Sequence, residues 1–144
     1  MKATISVGIL VCLLNTAIIA QRQGINGKVI LVTGNQMPGP DKKQSSRQGV
    51  VREIYIYELT NVSEVDAEDG FYKKVHTKFV KSQFSKADGT FKIKLSPGKY
   101  SLFVKENKGL YANLFDNENN INPFIVERKS YTTITVTIDH AATY

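Results

Sequence analysis

Apolar and polar residues alternate one for one in several stretches of this chain. Phe91, Ile93 and Leu95 share one parity, Lys92 and Lys94 the other, which is the period of a strand with one wet face. After Ser96-Pro97-Gly98 the pattern resumes at Tyr100, Leu102 and Val104. Proline removes a backbone donor and glycine permits positive φ, so the two runs read as a β-hairpin. "REIYIYEL" sets Ile54 and Ile56 against Tyr55 and Tyr57, and "TTITVTID" sets Ile134, Val136 and Ile138 against threonines. β-Branched and aromatic residues dominate both runs. "GKVILVTG" adds a first strand, "KKVHTKFVKSQF" one or two middle strands, and "LYANLF" and "FIVE" two shorter ones. With no amphipathic helical pattern anywhere, the chain reads as all-β, a seven-stranded sandwich.

Two stretches break the alternation. Residues 34–49, "GNQMPGPDKKQSSRQG", read as a long polar loop, and residues 61–70 as an acidic one. Loops beyond roughly 12 residues are uncommon unless they are functional or mobile.

The N-terminus changes the compartment. Lys2 precedes an apolar run from Ile5 to Ala20 with no further charge until Arg22, the layout of a secretory signal cut after a small residue. The run is too short for a spanning helix, which needs roughly 20 predominantly apolar residues, so no transmembrane segment is expected after cleavage. Residues 1–20 are therefore read as a signal peptide and residues 21–144 as one domain, exported to a periplasm or secreted. The single cysteine, Cys12, leaves with the signal, which removes disulfides, thiol catalysis and cysteine metal ligands from the expectation. Signal loss takes Lys2 and no acid, so the formal charge of +6 falls to about +5. The surplus is scattered lysine, which reads as a solvated face with a weak attraction to anionic glycans or lipid headgroups. No recognition-helix, zinc-finger or RNP-like pattern points to nucleic acid.

The segment "SKADGTFKIKLSPGKYSLFV" (85–104) resembles the signature of carboxypeptidase regulatory-like domains, which are transthyretin-like, immunoglobulin-like β-sandwiches. Ser85, Asp88, Gly89, Phe91, Ile93, Leu95, Pro97, Gly98, Tyr100 and Leu102 carry the match. "GINGKVILV" is similar to the usual first strand, although residues 34–49 replace a short connection. With "GNQMPGP" and "NLFDNENNINPF", the chain from residue 21 resembles small exported bacterial proteins that carry this domain alone. The resemblance implies a scaffold, with Asp88 and Gly89 building a turn and Tyr100 packing inward, and it assigns no activity.

Candidate chemistry is sparse. His76 and His140 stand alone in sequence, and no Gly-x-Ser-x-Gly elbow accompanies the serines. Glu53, Glu58 and Asp66 are available for sugar hydrolysis, but no spacing selects them. No catalytic residue and no cofactor are expected. "DNENNIN" places Asp116, Glu118, Asn120 and Asn122 at alternate positions, with Glu127 eleven residues after the first. That spacing suits calcium, although Ile121 stands where such a loop demands glycine, and an Asn-rich turn between strands is the commoner explanation of such a segment. If the loop 113–123 receives a ligand, Asn113, Asp116, Glu118 and Asn120 are its candidate contacts. Tyr55, Tyr57, Phe103, Tyr111 and Phe115 are rings that either stack on sugars or pair across strands. The expectation is an exported, non-enzymatic interaction or structural module of the bacterial cell envelope, its partner an envelope protein or polysaccharide. The alternatives are a carbohydrate-binding module and a small hydrolase acting on envelope glycans.

Overall fold

The computed structural model describes residues 22–40 and 46–144. The segment read as a signal peptide, and the lysine pair Lys42-Lys43, lie outside the described residues. Eleven strands form two sheets, and the described residues contain no α-helix. No helix among them is long and apolar enough to cross a membrane. The smaller sheet holds β1 (Gly24–Asn35), β2 (Ser46–Gly49), β7 (Thr90–Lys94) and β11 (Tyr131–Thr143). The larger holds β3 (Glu53–Glu58), β4 (Val65–Glu68), β5 (Phe71–Val75), β6 (Phe79–Phe84), β8 (Gly98–Glu106), β9 (Gly109–Tyr111) and β10 (Pro123–Val126).

Each sheet is built around one long strand. β11 runs parallel to β1 along one edge, and β7 and β2 follow each other antiparallel on the opposite edge. In the larger sheet β8 pairs with β3 on one side and with β10 and β9, end to end, on the other. β6 lies beyond β3, and β5 then β4 lie beyond β9.

The alternation seen in the sequence supplies the core between the sheets. Ile25, Val29, Phe91, Ile93, Val136 and Ile138 face Ile54, Ile56, Leu102, Val104, Phe124 and Val126 in one buried cluster, a sandwich-like arrangement of two inner faces. Lys92, Lys94, Thr133 and Thr135 keep the outer parity of the smaller sheet. Tyr100 packs inward and donates its hydroxyl to the Ser96 carbonyl at 2.6 Å. Asp88 accepts from both the Thr90 backbone and its hydroxyl, and Gly89, at φ 86°, turns the chain into β7.

Four sequence expectations require correction. The seven strands expected are eleven, because β2 and β4, for example, are four-residue strands inside stretches read as loops. The runs 91–95 and 100–104 do not form a hairpin: β7 pairs with β1 and β8 with β3, in different sheets. Ser96 and Pro97 carry the chain across the sandwich, and Gly98, at φ 159°, already belongs to the extended backbone of β8. The two readings bury the same side chains, so alternation alone does not separate a hairpin from an arch. The polar stretch 34–49 is shorter than read, because β1 continues to Asn35 and β2 pairs Ser46–Gly49 with Ile30–Thr33. Residues 61–70 are not a plain loop. They hold a 3-10 turn at Val62–Glu64, capped by Asn61, and the strand β4.

The parallel ladder between β1 and β11 carries one irregularity. Leu31 pairs with Ile138 and then Thr33 with Ala141, so Asp139 and His140 together oppose Val32. A bulge of this kind re-aims side chains. Both residues now reach toward the larger sheet, Asp139 to Tyr111 and His140 to Glu106.

Candidate functional site

The Asn-rich loop is held by its own side chains. Asp116 accepts from the backbone amides of Glu118 and Asn120 at 2.9 and 2.8 Å through Oδ1, and from the Asn120 side-chain amide at 2.8 Å through Oδ2. The Asn120 side chain first, then the backbone amides, hold the Asp116 carboxyl below the usual carboxylate range. Asn119 and Asn122 take left-handed backbone, at φ 63° and 38°, which asparagine tolerates. Asn122 turns away to donate to the Leu102 carbonyl at 3.0 Å, and Asn113 donates to Asp139 at 2.8 Å. Glu118 is exposed, and its carbonyl accepts from Asn61. Of the four residues considered for calcium, Asp116 and Asn120 are brought together and bond to each other. Among the described residues no group of three or more His, Cys, Asp or Glu is placed to hold a metal. A cleft of about 380 Å³ does run beside this loop, between Asp116 and Asn120 on one side and Phe124 and Ile125 on the other.

The outer face of the larger sheet is different. Since Ile54 and Ile56 point into the core, Tyr55 and Tyr57 point out, and each is half-buried. Their neighbours form a chain of edge-to-face and tilted rings. Tyr72 meets Phe103 at 5.4 Å between centroids, Phe103 meets Tyr57 at 5.6 Å, Tyr57 meets Phe79 at 5.5 Å and Phe79 meets Tyr55 at 5.8 Å. Such contacts fix ring orientation. Phe103 is fully covered by its neighbours, whereas Phe79 is about half exposed. Tyr55, Tyr57 and Tyr72 then line a groove of about 420 Å³, bordered by Lys73 of β5, Lys105 of β8 and the turn Glu106–Gly109. Burial pushes the Tyr72 phenol up, and burial together with the neighbouring Tyr55 does the same for Tyr57. Both stay protonated across the neutral range, apolar on their faces and able to donate at their tips.

The chain matches no family model, no curated protein and no solved structure.

A second cleft, of about 330 Å³, opens on the other side of the turn and shares Glu106, Asn107 and Lys108 with the first; Asp69, Phe71 and His140 complete it. Here the bulge delivers His140, whose Nε2 lies 3.0 Å from Glu106 Oε2 while Arg52 Nε donates to Oε1 at 2.6 Å. The His140 ring rests edge-on against Phe71 and Tyr111, each at 5.1 Å. Beside it, Asp139 accepts from Tyr111 at 2.6 Å, Asn113 at 2.8 Å and Tyr144 at 2.9 Å. Burial works to raise the Asp139 pKa, but these bonds prevail and lower it.

The remaining candidates are scattered. His76 lies 3.2 Å from Asp66 on the exposed β4–β5 edge, Glu53 accepts from Tyr55 at 3.2 Å, and Glu53, Glu58 and Asp66 line none of these three clefts. Of the five rings singled out in the sequence, Tyr55 and Tyr57 reach the groove. Phe103 and Tyr111 are buried, and Phe115 is exposed away from it. Tyr72, Lys73, Lys105 and Lys108 were not singled out. Their signal is the outward parity of Tyr72 and Lys105, but that becomes readable only when the β8–β9–β5 order is known.

Proposed function

We propose that the protein is an exported, non-enzymatic binding module of the cell envelope, and that it takes a polysaccharide at the tyrosine-lined groove. One observation carries this reading. Tyr55 and Tyr57, half-buried on the outer side of a sheet and in ring contact with Phe79 and Phe103, line a concavity large enough for a sugar ring. Ring faces on strands lose little freedom on binding, and sugars stack on them through their C–H faces. The resemblance of residues 85–104 to carboxypeptidase regulatory-like domains supports a transthyretin-like sandwich as the scaffold. The basic-then-apolar N-terminal segment supports export.

Affinity electrophoresis against a panel of soluble envelope polysaccharides tests the reading. At least one should retard the protein, and Tyr55→Ala or Tyr57→Ala should each weaken that binding by about 0.5–1.5 kcal/mol while the melting temperature moves by only a few degrees. If no polysaccharide retards it, or if both tyrosine variants bind as before, the groove is not the site.

A second reading, a small glycan hydrolase, has one observation in its favour: the Glu106 carboxylate, paired with His140, stands in the wall shared by both clefts. Both of its oxygens are already engaged, by Arg52 and His140, which favours a structural role. Release of new reducing ends that disappears in Glu106→Gln would replace the binding reading with this one.

A further inference from the structure

We infer that the polysaccharide is anionic: a carboxylate-bearing chain whose sugars lie on the tyrosine rings while its charges meet a rim of lysines. The inference rests on the polysaccharide reading of the groove and adds the charge of the ligand and where that charge sits.

Charge comes first. Lys73, Lys105 and Lys108 border the groove, and the one acid there, Glu106, has a side chain only 10% exposed, with both oxygens engaged by Arg52 and His140. Among the described residues Arg52–Glu106 is an ion pair, and His140 and His76 stand beside Glu106 and Asp66, so none of the three lysines is paired with a described acid. Lys73 donates to the Lys108 carbonyl, which pins one ammonium group at the rim. A lysine ammonium offers donors and no acceptor. It therefore serves a carboxylate better than a neutral sugar, whose hydroxyls are usually read by amides and carboxylates. The groove's only side-chain amide is Asn107. The formal charge of about +5 left after signal loss adds long-range attraction in the same sense.

Extent comes second. The neighbouring hollow shares the turn Glu106–Lys108 with the groove, but Asp69 and Glu106 both line it, so the charges of the chain are placed at the lysine rim and not beside His140.

The test is calorimetric titration of the purified protein with polygalacturonate, alginate and dextran sulfate, with fully methyl-esterified polygalacturonate, with a neutral glucan, with poly-glutamate and with phosphatidylglycerol vesicles. Polygalacturonate should bind at least tenfold tighter than its methyl ester, and the binding should weaken as salt is raised. Lys105→Gln with Lys108→Gln should erase most of that difference, whereas the Lys→Arg pair should restore it. Tyr55→Ala should weaken both forms. Equal affinity for acid and ester, or binding of neutral glucan but of none of the three anionic polymers, overturns the charge assignment and leaves the polysaccharide reading standing. Poly-glutamate or vesicles bound as tightly as polygalacturonate overturns it too, because attraction then needs no sugar. If nothing in the set binds, both readings fall.

Discussion

Tyr111 has its ring in the core and its hydroxyl on a carboxylate, so its protonation and the stability of the domain are linked. Burial first, then the hydrogen bond to Asp139 and that group's charge, push the phenol far above its ordinary value of 10.0. The folded state thus keeps a proton that the unfolded chain loses. The stabilisation is full below about pH 10 and is lost progressively as the pH rises above it. Tyr57, Tyr72 and Tyr100 are also raised, chiefly by burial, and add to the same alkaline limb. Tyr111→Phe should cost about 1 kcal/mol at pH 7 for the lost hydrogen bond, yet it should flatten the fall in stability at alkaline pH, as followed by urea midpoints. A variant whose alkaline limb keeps the wild-type slope would show that another tyrosine dominates the linkage. On the acid side the sign reverses. Asp139 and Asp116 are lowered, so their contributions hold above their unfolded value of 3.8 and fade as the pH drops below it.

At the scale of elements, period-two patterning shows which side of each strand is wet, and it shows this well. Ile54, Ile56, Ile93, Leu102, Val136 and Ile138 are all buried on the parity that the alternation assigns. Partner choice is what one dimension conceals. Residues 91–95 and 100–104 are neighbours in sequence yet pair with β1 and β3 respectively, because an arch satisfies the same pattern as a hairpin. The groove is half legible for the same reason: Tyr55 and Tyr57 follow from their parity, whereas Tyr72, Lys73 and Lys108 join them only through the β8–β9–β5 pairings. The bulge at Asp139–His140 leaves no trace in composition. Two substitutions test this level. Leu102→Ala, at a fully buried position of β8, should cost about 2–5 kcal/mol by chemical denaturation. Gly89→Ala should be costly despite its size, because the position combines φ 86° with a methyl that would stand 2.3 Å from the Val29 carbonyl oxygen. A loss of more than about 1 kcal/mol is expected, and a neutral result would show that this turn relaxes.

The whole molecule closes on its last strand. β11 supplies Val136 and Ile138 to the core and is the partner of β1 along nearly its full length. Ending the chain after Arg128 should therefore abolish cooperative thermal unfolding, as seen by circular dichroism, and not merely lower the midpoint. A truncated protein that still melts sharply would place the stability elsewhere.

The parallel pairing of β1 with β11 also determines how the domain bears load. Because the two strands point the same way, the start of β1 at Gly24 and the end of β11 at Thr143 sit at opposite ends of the smaller sheet, about 36 Å apart at the rise of an extended chain. Tension entering through Gly24 and leaving through Thr143 slides the strands lengthwise past one another. Their hydrogen bonds must then fail together, whereas a hairpin pulled at its two free ends opens one bond at a time. In single-molecule stretching, the domain should yield at a markedly higher force when pulled through these two points than through a pair of handles that peels β11 away sideways. A module so joined between an anchor and a stretched polymer would behave as a clamp.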